Sequence, residues 1–194
     1  MKKRFSAVML SATLLAAAIP AAAANLSLKV PLTQQEHSQW CWAGSSKAVL
    51  ALYGKTPSQC NIVNWAFGIN YACGNSNFNW NSNANSPNNM FGSAGSLQNI
   101  LRNWGVTNVT VNDYLSWTHV QQDIQANRPF VIRYGWTGGG GHFIVGRGYS
   151  DDSGSYLYLM NPWPGEGMIY ATYRSVVSDN DHNWTHTLRM SVNP

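Results

Sequence analysis

The chain has 194 residues, of which 44% are hydrophobic and only 10% charged, with a formal charge of +4. That is enough apolar material for a globular core, and it leaves Asn, Ser, Thr, Gln and Gly to build most of the polar surface. Lys2, Lys3 and Arg4 supply most of the positive balance; the remainder is close to neutral, which excludes strong electrostatic attraction to nucleic acid or an anionic membrane.

Residues 1–24 read as a secretory signal peptide. They have a basic start, an apolar run shorter than the roughly 20 residues that span a bilayer, and the small residues Ala22-Ala23-Ala24 at a cleavage site. The expectation is a bacterial protein exported by the general secretory route, secreted or periplasmic, with one domain over residues 25–194 and no membrane attachment once the signal is removed.

Residues 25–40 look extended. Trp42, Ser46, Val49, Leu52 and Tyr53 then fall at helical spacing before Gly54, which predicts a helix that begins at Cys41. Thr56, Pro57 and Gln59 read as cap, first turn and capping box of a second helix that closes at Gly68. A long polar loop over 74–96 is dominated by Asn and carries the aromatic residues Phe78, Trp80 and Phe91. A third helix is expected over Ser96–Asn103. A fourth is expected over Thr118–Ala126, with Thr118 and Gln121 as its capping pair.

Beyond Pro129 the runs 130–136, 142–149, 155–160, 168–173 and, more weakly, 185–192 read as strands between turn-forming Gly, Asp, Asn and Pro residues. Helices first and strands after predict an α+β fold, mainly helical over 25–128 and mainly β over 129–194.

The three cysteines are Cys41, Cys60 and Cys73, so an oxidising compartment leaves one unpaired. Cys60 and Cys73 flank the second helix and its return. Pairing them would stabilise the fold by about 3 kcal/mol on the loop-entropy model and would leave Cys41 as the free thiol. A helix start favours negative charge, so Cys41 is expected to have a lowered pKa. His142 is a candidate base, because it opens an apolar strand directly behind Gly138-Gly139-Gly140-Gly141. Asn161 ends the next strand, and antiparallel pairing can bring the start of one strand to the end of the other.

These residues resemble a family. Gln35 followed by Cys41-Trp42 is similar to the glutamine and cysteine boxes of papain-like cysteine peptidases. The strand from His142 to Tyr149 is similar to their histidine strand, and Asn161-Pro162-Trp163 with Gly165-Glu166-Gly167 to their asparagine box and glycine-rich turn. Trp40-Cys41-Trp42-Ala43 and Gly-Gly-His bring the resemblance to the small secreted bacterial branch of staphopains and plant-pathogen effector peptidases.

The resemblance implies a helical lobe packed on an antiparallel β lobe with the cleft between them. It implies Cys41 as nucleophile, His142 as its proton partner, Asn161 as the group that orients His142, and Gln35 as an oxyanion donor beside the Cys41 backbone N–H. Trp163 would shield the His142–Asn161 bond, with Pro162 standing where papain itself has serine. The product is a monomeric endopeptidase acting on protein or peptide through an acyl-enzyme, with no metal or cofactor.

The predicted cleavage site lies so close to Gln35 that no long inhibitory segment fits between them. Restraint is therefore expected from a separate inhibitor protein, a narrow substrate range, or the loop over 74–96 lying across the cleft. Two other classes fit the same residues: a different acyl-transfer enzyme (transglutaminase-like, or a peptidoglycan amidase) and an inactive binding module rich in Trp and Tyr. Asp151 or Asp152 could orient His142 in place of Asn161, but both sit in a turn and read as solvated. Asp179, Asp181 and Asn183 mimic the start of a calcium loop, but Trp184 and Met190 occupy its glycine and final acidic positions.

Overall fold

The computed structural model describes residues 24–74, 79 and 81–194. The signal-peptide reading (Ala24 apart) and the aromatic residues Phe78 and Trp80 lie outside the described residues. In chain order the elements are β1 (Asn25–Ser27), α1 (Cys41–Leu52), α2 (Gln59–Phe67), a 3-10 turn (Asn83–Asn85) and α3 (Leu97–Asn103). Then follow β2 (Asn108–Val111), α4 (Trp117–Gln125), β3 (Phe130–Trp136), β4 (Gly141–Ser150), β5 (Tyr156–Asn161), β6 (Gly167–Thr172), α5 (Tyr173–Val177) and β7 (His182–Met190). The fold mixes α and β.

Among the described residues the strands form one antiparallel sheet in the order β2-β7-β3-β4-β5-β6, with β1 pairing beside this path on β4. Gly148 admits β1: a Cβ there would stand 2.5 Å from the Leu26 carbonyl oxygen. β4 is buried along almost its whole length, and α1 and α4 both pack on it. Tethering is covalent as well, since Cys60 and Cys73 form a disulfide and Cys41 is the free cysteine.

The helix ends depart from the sequence reading in instructive ways. The cap of α2 is Ser58, whose side chain accepts from the Asn61 N–H, rather than Thr56. Gln59 does not complete a capping box. It is buried, donates to the Gln34 carbonyl at 2.6 Å and accepts from the Glu36 N–H at 3.1 Å. The cap of α4 is Ser116, not Thr118. Neither β2 nor α5 was expected, and β7 runs from His182 rather than from 185. Gly68 does close α2, in the left-handed conformation at φ 64°.

One charged cluster lies inside. Asp123 on α4 is 1% exposed. Its carboxylate accepts from Arg189 Nε at 2.6 Å and Nη2 at 2.8 Å, and from Arg128 Nη2 at 3.2 Å. The group ties α4 to the last strand. Asp123→Ala leaves two partly buried guanidinium groups without their anion and is expected to cost about 3 kcal/mol of stability, read as a fall in the urea midpoint at unchanged slope.

Candidate active site

Three segments converge on Cys41. The first is α1 itself, whose opening residue is Cys41. The second is the start of β4: Ser45 on α1 donates its hydroxyl to the Phe143 carbonyl at 3.0 Å, and the Phe143 backbone N–H faces the Cys41 thiol. The third is the turn after β5. A Cβ on Gly44 would meet Pro162 Cβ at 3.0 Å and the Gln35 Cα at 3.5 Å, and the Gln35 N–H donates to the Pro162 carbonyl at 2.8 Å. The Gln35 segment, the first turn of α1 and the Asn161-Pro162-Trp163 turn are thereby packed together, with Gln59 holding the chain on either side of Gln35.

His142 is 4% exposed and pairs with Tyr134 of β3. Continuing the Val145–Met160 register of β4 and β5 by one step sets Asn161 diagonally across from His142 on the same face. The two meet: His142 Nε2 and Asn161 Oδ1 are 2.7 Å apart. The same Oδ1 accepts the Trp163 backbone N–H at 3.0 Å. A backbone N–H can only donate, so the atom between them is the amide oxygen, and His142 Nε2 is the protonated nitrogen. Its Nδ1 is then the basic position.

Two indoles flank the imidazole. Trp163 meets it edge-on, with ring centroids 5.7 Å apart, and Trp136 lies nearly parallel to it at 6.0 Å. The sequence reading pointed to Trp163 and missed Trp136. Its place in a strand that pairs with β4 was the available signal.

Gln35 is buried, and its Nε2 donates to the His37 and Ser38 carbonyls at 2.9 and 3.0 Å. Its Oε1 is buried and has no hydrogen-bond partner among the described residues. Both amide hydrogens are therefore turned to the local backbone. The two carboxylates that could have oriented His142 lie past the far end of β4: Asp151 accepts from the Ala24 N–H and from Gln121, and Asp152 accepts from the Ser150 hydroxyl at 3.4 Å.

The loop over 74–96 is anchored where it is described. The Trp40 and Trp42 indole N–H groups donate to the carbonyls of Ala84 at 2.6 Å and Ser86 at 3.1 Å, and Asn85 bonds to Gln39 and Ser38.

Burial pushes the Cys41 thiol up to about 11. The N–H groups of Phe143, Trp42 and Cys41 and the charge of Arg133 oppose that rise without cancelling it. This reverses the sequence expectation of a lowered value, because desolvation of the thiolate outweighs the helix start. Burial also pushes His142 down, against the opposing pull of its bond to Asn161 and of the Glu166 carboxylate. Each group alone is driven toward its neutral form.

The model of the Peptidase_C39 like family matches residues 27–191. Among solved structures, the chain is similar to a double glycine motif protease from an AMS/PCAT transporter, described in complex with the leader peptide. The two share 16% identity at a TM-score of 0.50, over 87% of this chain and 98% of that one, a likeness of fold alone. No curated protein matches the sequence.

The opposed pKa shifts give a direct test. In His142→Ala protein the lone Cys41 thiol, left without a proton partner, is expected to react with iodoacetamide about tenfold faster for each pH unit across the neutral and mildly alkaline range. In the unaltered protein the neutral-pH rate should be higher and nearly flat. Identical profiles for the two proteins would show that His142 does not share the thiol's proton.

Proposed function

The chain belongs to the Peptidase_C39 like family and is a cysteine peptidase, and from that premise we propose an exported endopeptidase that works through Cys41, His142 and Asn161. The observation that carries the assignment is the convergence just described: the free thiol at the start of α1 faces the backbone of Phe143, and the neighbouring His142 is held by Asn161 at 2.7 Å. A peptide would lie in the groove between α1 and the sheet, with the part of the chain before residue 129 as one wall and the part after it as the other. The Trp40-Cys41-Trp42-Ala43 box favours the small secreted bacterial branch as the finer placement.

The chemistry follows from the electrostatics. A thiolate at Cys41 is costly alone and so is an imidazolium at His142; moving the proton from Sγ to Nδ1 creates both at once, where their attraction offsets the two desolvation costs. Sγ then attacks the scissile carbonyl. The developing oxyanion accepts from the Cys41 backbone N–H and from Gln35 Nε2, once Gln35 gives up its bond to His37 or Ser38. His142 returns the proton to the leaving amine, and water entering by the same route hydrolyses the acyl-enzyme. Asn161 takes no proton. It fixes the ring, and Trp163 keeps water from that bond.

The short apolar N-terminal run behind a basic start supports export; among the described residues no helix is long and apolar enough to cross a membrane. A free thiol in a chain that also carries a formed disulfide fits an oxidising compartment in which the thiol has a use.

Cys41→Ala should abolish cleavage of a proteome-derived peptide library while leaving the melting temperature within a few degrees. Gln35→Ala should lower kcat by about 100-fold, the loss expected of one oxyanion donor. Asn161→Ala should keep measurable activity, since it removes orientation and not the nucleophile. Full activity in Cys41→Ala would overturn the assignment.

A further inference from the structure

A cleft of about 460 Å³ lies against His142 on the side that Cys41 does not line. Its walls are the rings of Tyr134, Trp136, Trp163 and His182, with His142 and Asn161 at one end. Two carboxylates also line it, Glu166 and Asp181, and among the described residues no Lys or Arg does. Glu166 has no ion-pair partner among the described residues and is near enough to act on the charge of His142. Asp181 spends one oxygen on His182 Nδ1 at 2.5 Å and keeps the other. Asp179 adds a further negative charge behind Tyr134. Trp136 and Trp163 are 37% and 49% exposed, unusual for indoles and available for contact.

The position of the cleft says which part of a substrate enters it. This step rests on the peptidase reading above. The scissile carbonyl must sit over Cys41, and the leaving nitrogen must reach His142 to receive its proton. A side chain carried by that nitrogen's own residue therefore points past His142, away from Cys41, into this cleft. Indole and phenol faces attract cations, and an unpaired carboxylate at the rim supplies the opposite charge. The same surroundings repel an acidic side chain. We propose that the cleft walled by Trp136, Trp163, Glu166 and Asp181 is a specificity site for a basic residue, arginine or lysine, placed immediately after the scissile bond.

Two measurements test it together. In the first, a peptide cut by the enzyme is prepared with Arg, Ala or Glu as the residue after the scissile bond. The expected order of kcat/KM is Arg, then Ala, then Glu, with Arg about tenfold above Ala. In the double variant Glu166→Gln, Asp181→Asn the ratio of Arg to Ala should fall to about two; taking the ratio within one protein cancels any effect of Glu166 on His142. In the second, the Cys41→Ala protein is titrated with Arg-Ala amide, Ala-Ala amide and Glu-Ala amide while the Trp136 and Trp163 indole N–H signals are followed by NMR. Only the Arg compound should move them at low millimolar concentration.

Equal rates for the three peptides, or equal shifts for the three amides, overturn the proposal, as does an Arg preference that survives in the double variant. The titration needs no turnover. A selective Arg response from a protein that cuts no peptide would uphold the cleft and sink the peptidase assignment instead. Cleavage with no preference would do the reverse.

Discussion

The structure turns on the way the first turn of α1 is pressed onto two strand ends. Gly44 has no side chain where Pro162 and Gln35 approach, Ser45 reaches the Phe143 carbonyl, and the Gln35 N–H reaches the Pro162 carbonyl. A larger residue at 44 would lift the helix start away from the turn after β5. Since Cys41 is fixed by that helix start, and His142 and Asn161 by the strand ends, the same packing decides whether three side chains drawn from distant parts of the chain share one site. The core is thus placed behind the chemistry. Ala48, Val49 and Leu50 of α1 and Ile144 and Val145 of β4 are all fully buried, so the elements that carry the thiol and the imidazole belong to one close-packed body.

Packing this tight has an electrostatic consequence. It strips water from both groups, so neither gains its charge unaided. The sequence argument for a lowered thiol pKa weighed only the helix start, a partial charge within one turn. Desolvation acts on the whole ion and is the larger effect here. The fold answers mainly with fixed donors, the Phe143, Trp42 and Cys41 N–H groups that point at the sulfur, and the charge of Arg133 adds to them. Asn161 follows the same logic. Its neutral amide meets His142 Nε2 through the oxygen without adding an anion, and the Trp163 N–H fixes which end of the amide faces His142.

Much of this was legible because the signals were local. β3 runs over Phe130–Trp136 as expected, a β-branched and aromatic run bounded by Pro129 and glycines. The start of α1 at Cys41 and the end of α2 at Gly68 came from side-chain periodicity and a glycine stop. What escaped was decided by distant partners. Gln59 sits at the position of a capping-box residue yet turns inward, where the Gln34 carbonyl and the Glu36 N–H are its partners. β2 is only four residues long, and it becomes a strand by pairing with β7. Asp123 reads as an ordinary polar residue in a helix until Arg128 and Arg189 converge on it. Trp136 looked like the end of a strand, and its role beside His142 follows from the β3–β4 pairing.

The two tryptophans beside Cys41 show how local sequence and long-range contacts join at the site. Both are fully buried, so each indole N–H must find an acceptor or lose its hydrogen bond in the core. They find the Ala84 and Ser86 carbonyls, two residues apart on the polar loop. The described part of the loop is held by these two bonds, by the Asn85 bonds to Gln39 and Ser38, and by burial of Ala84 and Met90 in the core. The dependence is mutual. The loop is held near the site because the residues on either side of the thiol grip it, and those residues are held in place because their indoles are bonded to the loop. Beyond Ser86 the chain is fastened as well: the Leu97 and Gln98 N–H groups donate to the Asn89 and Met90 carbonyls, and Met90 is buried in the core.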